Sequence, residues 1–284
     1  MPLVSLRTLL DAAEQGKYAV GAFNCNNMEI VQAIVEAADE LRSPVIIQAS
    51  QGAIKYAGLH YVVGLAKLAA EKATVPVALH LDHGTDYKTV IACIQAGFTS
   101  VMFDGSQWPK EENIARTQEI VKVAHAVGVS VEGEIGKIGG VEDDIVVEER
   151  DAMLTPVPDA IEFYEATGVD ALAMAFGTAH GHYKLPPKLA LDRIDEVHRR
   201  TGAYLVMHGG SGVPEADVKK GIELGIRKVN IDTELREAFL GEIRAQLAAK
   251  PNEIDPRKIF APAKAVLKEK LKEKMTLFGS VGKA

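Results

Sequence analysis

The stretch from Pro76 to His83 reads P-V-A-L-H-L-D-H, a short apolar run that ends in two polar residues. The segment after it, Asp86 to Ala96, has helical periodicity and is followed by Gly97, a residue type that commonly ends a helix. An apolar run followed by a helix is the unit from which helix-covered parallel sheets are built. This stretch therefore predicts one strand and one helix of an α/β protein.

The same unit occurs eight times along the chain. The predicted strands are Ala19–Asn24, Pro44–Ser50, Pro76–His83, Ser100–Asp104, Ser130–Ile135, Ala171–Gly177, Tyr204–Met207 and Lys228–Asp232. The predicted helices are Glu29–Leu41, Leu59–Lys72, Asp86–Ala96, Glu111–Val127, Asp159–Thr167, Lys188–Arg200, Glu215–Leu224 and Glu234–Lys250. Eight units are the number in a (β/α)8 barrel, the TIM-barrel class. We therefore expect residues 1–284 to form a single barrel domain, with an extra N-terminal helix at Ser5–Gln15 and a C-terminal helical extension over 251–284.

The composition is that of a soluble globular protein. The 284 residues are 47% apolar and 25% charged, which argues against disorder, collagen and coiled coil. A formal net charge of −7 argues against a general nucleic-acid surface, because such surfaces need clustered lysine and arginine. The apolar runs are too short to span a membrane, the N-terminus lacks a signal pattern, and the two cysteines, Cys25 and Cys93, lie far apart. We expect a cytoplasmic protein without nucleic-acid or membrane partners.

Three histidines lie at the ends of three different predicted strands. They are His83 in L-D-H-G, His180 in T-A-H-G and His208 in M-H-G-G-S-G. Active sites of (β/α)8 enzymes lie at the carboxyl ends of the strands, so one central ion is within reach of all three imidazoles. Three neutral imidazoles with an open fourth position are typical of a catalytic zinc site. The sequence therefore predicts Zn²⁺ as a cofactor.

Carboxylates accompany these histidines. Asp82 is a candidate general acid or base, and the alternative is that it orients a histidine ligand. Asp104 and Glu134, at the next two strand ends, are predicted either to orient ligands or to bind a second divalent cation. Glu132 lies on the same strand face as Glu134. Residue spacing alone does not distinguish these roles.

The last two strand ends carry a different signal. Gly209-Gly210-Ser211-Gly212 and Asn230-Ile231-Asp232-Thr233 each lead into a predicted helix. Barrels frequently bind phosphate at these loops, because amides at a helix start point at the anion. Lys184 and Arg257 are candidates for additional positive charge. The segment from Lys137 to Pro158 lacks a sustained apolar period and predicts a long functional or mobile loop.

The ordered motifs of this chain resemble those of a known family. The set A-F-N, L-D-H-G, V-E-G-E-I-G, G-T-A-H-G-x-Y-K, H-G-G-S-G and N-I-D-T-E is similar to the zinc-dependent class II fructose-bisphosphate aldolases of type B, which include tagatose-bisphosphate aldolases. The likeness spans essentially the whole chain, down to D-P-R-K and the terminal F-G-S-x-G-K-A. It implies a glycolytic or gluconeogenic lyase that reversibly cleaves fructose 1,6-bisphosphate to dihydroxyacetone phosphate and glyceraldehyde 3-phosphate through a zinc-stabilised enediolate.

The resemblance also implies roles for individual residues. His83, His180 and His208 would hold the zinc ion, Asp82 would move the proton at the aldehyde oxygen, and Asp104 and Glu134 would form a second or alternative metal site. Residues expected to contact dihydroxyacetone phosphate, partly with a monovalent cation (Na⁺ or K⁺), are Gly181, Gly209, Gly210, Ser211, Asn230, Asp232 and Thr233. Ser50 would face the glyceraldehyde phosphate part, and Lys184 would belong to a phosphate pocket. Arg257 matches an arginine donated to the neighbouring subunit, which implies a homodimer or homotetramer with the C-terminal extension at the interface.

Other functions remain as alternatives. Tagatose 1,6-bisphosphate differs from the fructose compound at one stereocentre, which the sequence does not decide. A Schiff-base aldolase needs a lysine buried at a strand end, and none is predicted there, since Lys228 begins its predicted strand and Lys137 and Lys184 lie on loops. A metal-dependent hydrolase usually has an H-x-H pair on its first strand, where this chain has G-A-F-N. A sugar-phosphate-binding barrel without catalysis leaves Asp82 unexplained.

Overall fold

The computed structural model describes residues 3–142, 145–147, 154–183 and 187–284. Its strands are β1 Val20–Asn24, β2 Val45–Ser50, β3 Val77–Gly84, β4 Ser100–Phe103, β5 Ser130–Ile135, β6 Gly139–Glu142, β7 Ile145–Val147, β8 Ala171–Met174, β9 Ala179–His180, β10 Leu205–Met207 and β11 Ile226–Ile231. Its helices are α1 Leu6–Gly16, α2 Met28–Leu41, α3 Gln51–Ala57, α4 Leu59–Lys72, α5 Tyr87–Ala96, α6 Lys110–Ala126, α7 Val157–Thr167, α8 Leu191–Thr201, α9 Glu215–Glu223, α10 Thr233–Ala249 and α11 Pro256–Leu277.

Eight of the strands form one closed parallel barrel. Their order around the barrel is β1, β11, β10, β8, β5, β4, β3 and β2. The register pairs Asn24 with Gln48, and Ser50 with Asp82, so the carboxyl ends of the first three strands meet at one rim. The predicted (β/α)8 barrel is confirmed, and its rim is where the site must be sought.

Local sequence signals explain where several helices begin. Ser5, Asn27 and Asp86 are the N-cap residues of α1, α2 and α5, and each side chain accepts a hydrogen bond from a backbone amide three residues on. Such caps satisfy amides that have no partner within the helix. Gly97 ends α5 with a φ of +106°, a conformation that favours glycine. Strand ends are thereby held at fixed distances from the helices that follow.

Two apolar clusters lie on opposite sides of the barrel wall. The larger cluster lies between the strands and the outer helices. The smaller one lies inside the barrel, where Leu6, Leu9 and Leu10 of α1 pack with inward-facing residues such as Val20 and Ile46. The N-terminal helix therefore closes one end of the barrel and leaves the opposite rim for polar side chains.

The C-terminal extension is a long helix on the outside of the barrel. Helix α11 packs along α2 and α10, and Lys264 and Lys268 form ion pairs with Glu36 and Glu40 at 2.7 Å. Cys25 and Cys93 are both buried thiols without a disulfide. None of the helices within the described ranges is both long and apolar enough to cross a membrane.

Several boundaries differ from those predicted; β8, for example, ends at Met174 rather than at Gly177. In its described part, the segment from 137 to 158 is not a plain loop, since β6 and β7 pair antiparallel and β6 also pairs with β9. Helix α3, which follows β2 directly, was not predicted, because its seven residues are too few to show a helical period. The last barrel strand begins at Ile226, two residues before the predicted start, because charged Arg227 and Lys228 hide its apolar character. Lys228 therefore lies inside the strand.

Candidate metal and active site

The three predicted histidine ligands converge at the rim of the barrel. His83 ends β3, His180 lies in β9 and His208 follows β10 directly. Their ring centroids are 5.1, 4.8 and 5.7 Å apart, and one nitrogen from each ring lies within 4.8 Å of the others. The structure thus brings together three side chains from separate strand ends, the outer two of which are 125 residues apart in sequence.

Hydrogen bonds fix the orientation of two of these rings. The Nδ1 of His83 lies 2.8 Å from Asp104 Oδ2, and the Nε2 of His208 lies 2.7 Å from Glu132 Oε1. Ionised carboxylates are acceptors, so each of these nitrogens carries the ring hydrogen. The opposite nitrogens, His83 Nε2 and His208 Nδ1, then present lone pairs to each other. They are 3.1 Å apart.

This arrangement fits a zinc ion. Two facing lone pairs repel unless a cation lies between them, and imidazoles that bind metal usually donate their other N–H to a carboxylate. Tetrahedral zinc with bonds of about 2.0–2.1 Å places two nitrogen ligands roughly 3.3–3.4 Å apart. Burial lowers the pKa of His208, against the opposing effect of its bond to Glu132, which favours the neutral ring that a metal requires.

The backbone around the ligands is constrained. His83 has a φ of +47°, a left-handed conformation that costs energy for a residue with a side chain. Its amide donates to Met102 Sδ at 3.4 Å, which helps to hold that conformation. Strained backbone of this kind is concentrated at functional sites, and here it turns an imidazole away from the strand toward the centre of the rim.

His180 depends on a different support. Gly140 in β6 pairs with His180 in β9, and a Cβ built on Gly140 would lie 2.1 Å from the His180 carbonyl oxygen. Gly140 also has a φ of +102°. We expect Gly140→Ala to displace His180 and to weaken zinc binding by about 10–100-fold, as loss of a supporting contact does in other zinc sites, measured by competition with a chromogenic chelator.

Gly128→Ala is the matched control for this substitution. Gly128 has a φ of +74°, but a Cβ there meets open space and lies far from the site. The Gly128→Ala variant has the conformational cost of about 1–2 kcal/mol but no clash. Its zinc affinity should therefore equal that of the unaltered chain. Equal zinc affinities for the two variants would show that β6 does not position His180.

Asp82 lies beside the imidazoles and is held by amides. Its Oδ2 accepts from Asn24 Nδ2 at 2.9 Å and from Gln48 Nε2 at 3.2 Å, and its Oδ1 accepts from Asn230 Nδ2 at 3.4 Å. The residue is fully buried. The carboxylates that bond the imidazoles are instead Asp104 and Glu132, which disfavours the alternative that Asp82 only orients a histidine.

A second group of possible cation ligands shares His83. Asp104 Oδ2 and Glu134 Oε2 lie 2.8 and 4.0 Å from His83 Nδ1. Although burial acts in the opposite direction, hydrogen bonds from His83 and Ser106 lower the pKa of Asp104 to about 2. Burial and the charge of Asp104 raise the pKa of Glu134 well above its usual range. Two carboxyl groups this close together supply oxygen ligands that can also accept a divalent cation.

A concave surface lies beside His180 at the start of α10. It is lined by Asn24, His180, Gly181, Gly209, Ser211, Asn230, Asp232, Thr233 and Arg236. Asp232 precedes α10 without capping it through its side chain, and its Oδ2 instead pairs with Arg236 at 2.7 Å. The amides at this helix start and the Arg236 guanidinium can bind an anion. Arg236 was missed from the sequence, although its position four residues after Asp232 on one helix face was a usable signal.

Three further predicted residues have different outcomes. Ser50 ends β2 next to Asp82, and its Oγ accepts from the Ala53 amide at 3.2 Å. Lys184 lies outside the described residues. Arg257 is 88% exposed and pairs with Asp255 at 2.8 Å, so the structure does not bring it into the site of its own chain.

Sequence reasoning also misjudged Lys228. Its side chain is fully buried in the barrel, with Nζ 2.9 Å from Glu132 Oε2, so placing it at the start of a strand was wrong. Burial acts to raise the pKa of Glu132, but the charge of Lys228 and the hydrogen bond to His208 outweigh burial and lower this pKa. A Schiff-base role is disfavoured on this new ground, because a lysine nucleophile must be neutral and reachable, whereas this ammonium faces a carboxylate.

Known proteins show the same organisation. The family model described as fructose-bisphosphate aldolase class-II matches residues 4–283. A probable fructose-bisphosphate aldolase from Bacillus subtilis (strain 168) is 47% identical and a sulfofructosephosphate aldolase from Alkalicoccus urumqiensis is 46% identical, with 100% of this chain and 100% and 99% of those proteins covered. The crystal structure of the YdjI aldolase from Escherichia coli K12 superposes with a TM-score of 0.87 at 34% identity, over 99% of each chain.

These matches extend over the barrel, the rim and the C-terminal helix. The family model covers residues 4–283 and a relative that is 47% identical covers the whole chain, so the described strands and helices all lie within these matches. The family is zinc-dependent, and its members are aldolases, which are lyases acting on carbon–carbon bonds. The chain belongs to the class II fructose-bisphosphate aldolase family.

Proposed function

We propose that the chain reversibly cleaves fructose 1,6-bisphosphate to dihydroxyacetone phosphate and glyceraldehyde 3-phosphate. The observation that carries the proposal is the convergence of three imidazoles beside the amide-held carboxylate of Asp82. His83, His180 and His208 would hold zinc, which when bound supplies a Lewis acid for the ketone oxygen. The whole chain would act as one barrel domain.

Asp82 is assigned the proton transfer. Cleavage breaks the C3–C4 bond, and the C4 hydroxyl must lose its proton as the aldehyde forms. Asp82 accepts that proton in cleavage and returns it in condensation. Solvent or an acid of the segment from 137 to 158 would supply the separate proton that C3 gains as dihydroxyacetone phosphate is completed. Asn24, Gln48 and Asn230 hold the carboxylate in place through their side-chain amides.

The concave surface at the start of α10 is assigned to dihydroxyacetone phosphate. The residues that would contact this compound, partly with Na⁺ or K⁺, are Gly181, Gly209, Gly210, Ser211, Asn230, Asp232 and Thr233. Helix-start amides on one side and Arg236 on the other support this assignment. Lys184 would add positive charge to the same pocket.

Ser50 and Arg257 are assigned to the glyceraldehyde phosphate end. Ser50 is a neighbour of Asp82 in the strand register. Arg257 is exposed at the start of α11, as an arginine given to a partner subunit must be, so we propose a homodimer or homotetramer with the C-terminal helix at the interface. The segment from 137 to 158 would close over the substrate or supply an acid, since its strand β6 pairs with the strand of His180.

Two further assignments complete the proposal. Asp104 and Glu134 would form a second or alternative site for a divalent cation. The enzyme would act in the cytoplasm, in glycolysis or gluconeogenesis; its two buried, unpaired cysteines suit a reducing compartment.

Substrate choice is the test of the proposed function. We expect the zinc-loaded protein to cleave fructose 1,6-bisphosphate with a kcat/KM roughly tenfold or more above that for tagatose 1,6-bisphosphate, because one misplaced hydroxyl leaves polar groups unpaired. Dihydroxyacetone phosphate release is followed with a coupled NADH-dependent dehydrogenase. The sulfofructosephosphate aldolase among the relatives adds a third compound, sulfofructose phosphate. Preference for either alternative sugar would reassign the substrate, and cleavage of none would reject the aldolase proposal.

A further inference from the structure

A second layer of charged groups lies beneath the imidazoles. Glu132, Lys228 and His80 all have side chains that are 0% exposed. Glu132 is the centre of this layer: Oε1 lies 2.7 Å from His208 Nε2, and Oε2 lies 2.9 Å from Lys228 Nζ and 3.5 Å from His80 Nε2. One carboxylate therefore joins a predicted metal ligand to a buried ammonium.

The proposed aldolase mechanism uses neither Lys228 nor His80. For a buried ammonium and carboxylate, the free-energy cost of losing hydration exceeds the gain from one ion pair, unless further polar contacts add to that gain. His80 adds a contact at 3.5 Å from its Nε2 to Glu132 Oε2, and its ring is held by Nδ1, which lies 2.8 Å from Ser100 Oγ. The network is therefore anchored on β3, β4, β5 and β11, on both sides of the barrel interior.

The carboxylate has competing partners. Both His80 Nε2 and His208 Nε2 lie close enough to share Glu132, but only the bond to His208 turns His208 Nδ1 toward His83. Lys228 attracts Oε2 and so leaves Oε1 for His208. Which imidazole nitrogen faces a metal is decided by the partner of the other nitrogen.

We infer that Lys228 is a positioning residue of the metal centre: it anchors Glu132 so that the carboxylate holds His208 with Nδ1 directed at the ion. Lys228 contacts neither the ion nor the substrate. Its effect reaches the metal through two contacts, and no covalent step involves it. The inference rests on the zinc site of the proposed function.

Lys228→Met is the first test, with Zn²⁺ as the probe. Apo protein competes with a chromogenic chelator, and we expect Lys228→Met to bind zinc about 10–100-fold more weakly than the unaltered chain, the usual effect of losing an outer hydrogen-bond partner. With Co²⁺ in place of zinc, the visible absorption should weaken as the tetrahedral geometry is lost. Nitrogen NMR of His208 should report a mixture of the two ring tautomers in the variant.

Arg227→Met is the matched control. Arg227 precedes Lys228, is 1% exposed, and pairs with Glu14 at 2.6 Å on the other face of the strand. Its loss also removes a buried cation from an ion pair, but without contact to Glu132. We expect this variant to lose stability and to keep the zinc affinity of the unaltered chain.

The outcomes separate the two proposals. If the unaltered chain binds zinc and Lys228→Met binds it equally well, the inference about Lys228 is overturned while the proposed function stands. If the unaltered chain binds no zinc, both are overturned. Should Lys228→Met fail to fold, Lys228→Leu takes its place, because it also removes the ammonium and leaves Glu132 intact. Weaker zinc binding by the folded variant supports the inference, and unchanged binding overturns it.

Discussion

Asp82→Asn is expected to lower kcat for cleavage of fructose 1,6-bisphosphate by about 10²–10⁴-fold, the contribution of a positioned acid or base. Asparagine has nearly the same shape, so the pocket formed by Asn24, Gln48 and Asn230 stays filled. It cannot accept the proton from the C4 hydroxyl. Single-turnover and steady-state assays on zinc-loaded protein measure the loss, and zinc affinity and binding of a phosphate ligand should be unchanged.

Asp86→Asn is the matched control for this variant. Asp86 lies four residues further along, at the N-cap of α5, where it accepts a hydrogen bond from the Thr89 amide. Asparagine caps helices as well as aspartate does, so neither stability nor turnover should change by much. Retained turnover in Asp82→Asn would remove the proton-transfer role, and lost zinc binding would instead make Asp82 a support of the metal site.

The barrel and the zinc triad were predictable because both depend on local patterns. Each strand is a short apolar run, each helix has its own period, and a parallel barrel places all carboxyl ends of strands at one rim. Once His83, His180 and His208 were placed at strand ends, their proximity followed from topology. Their exact approach, 3.1 Å between two ring nitrogens, did not.

The layer beneath the triad was not predictable, for a physical reason. Glu132 lies on β5 and Lys228 on β11, and β8 and β10 separate these strands around the barrel wall. Their contact crosses the barrel interior, so it depends on the register of four strands rather than on any local pattern. Charged residues also disguised the start of β11. A lysine in a charged stretch resembles a surface residue until the opposite wall is known.

Removing the metal gives the other large effect that we expect. Lewis-acid assistance contributes several kcal/mol, which corresponds to a fall in kcat/KM of roughly 10³-fold or more after exhaustive chelation. Stoichiometric Zn²⁺ should restore activity, and the assay is the same coupled release of dihydroxyacetone phosphate. The reason lies in the donor set, because carboxylates on the far sides of two rings direct His83 Nε2 and His208 Nδ1 toward one point.

Single substitutions locate this effect at the triad. His180→Gln should reproduce the loss of zinc affinity and activity, whereas His182→Gln should not, since His182 is 74% exposed and pairs with Glu237 on the surface. Borohydride treatment in the presence of dihydroxyacetone phosphate provides an independent check, because it traps lysine Schiff bases and should leave this enzyme active. Activity that survives chelation but is lost to borohydride would contradict the metal mechanism and return attention to Lys228, the buried lysine that a Schiff-base enzyme would need.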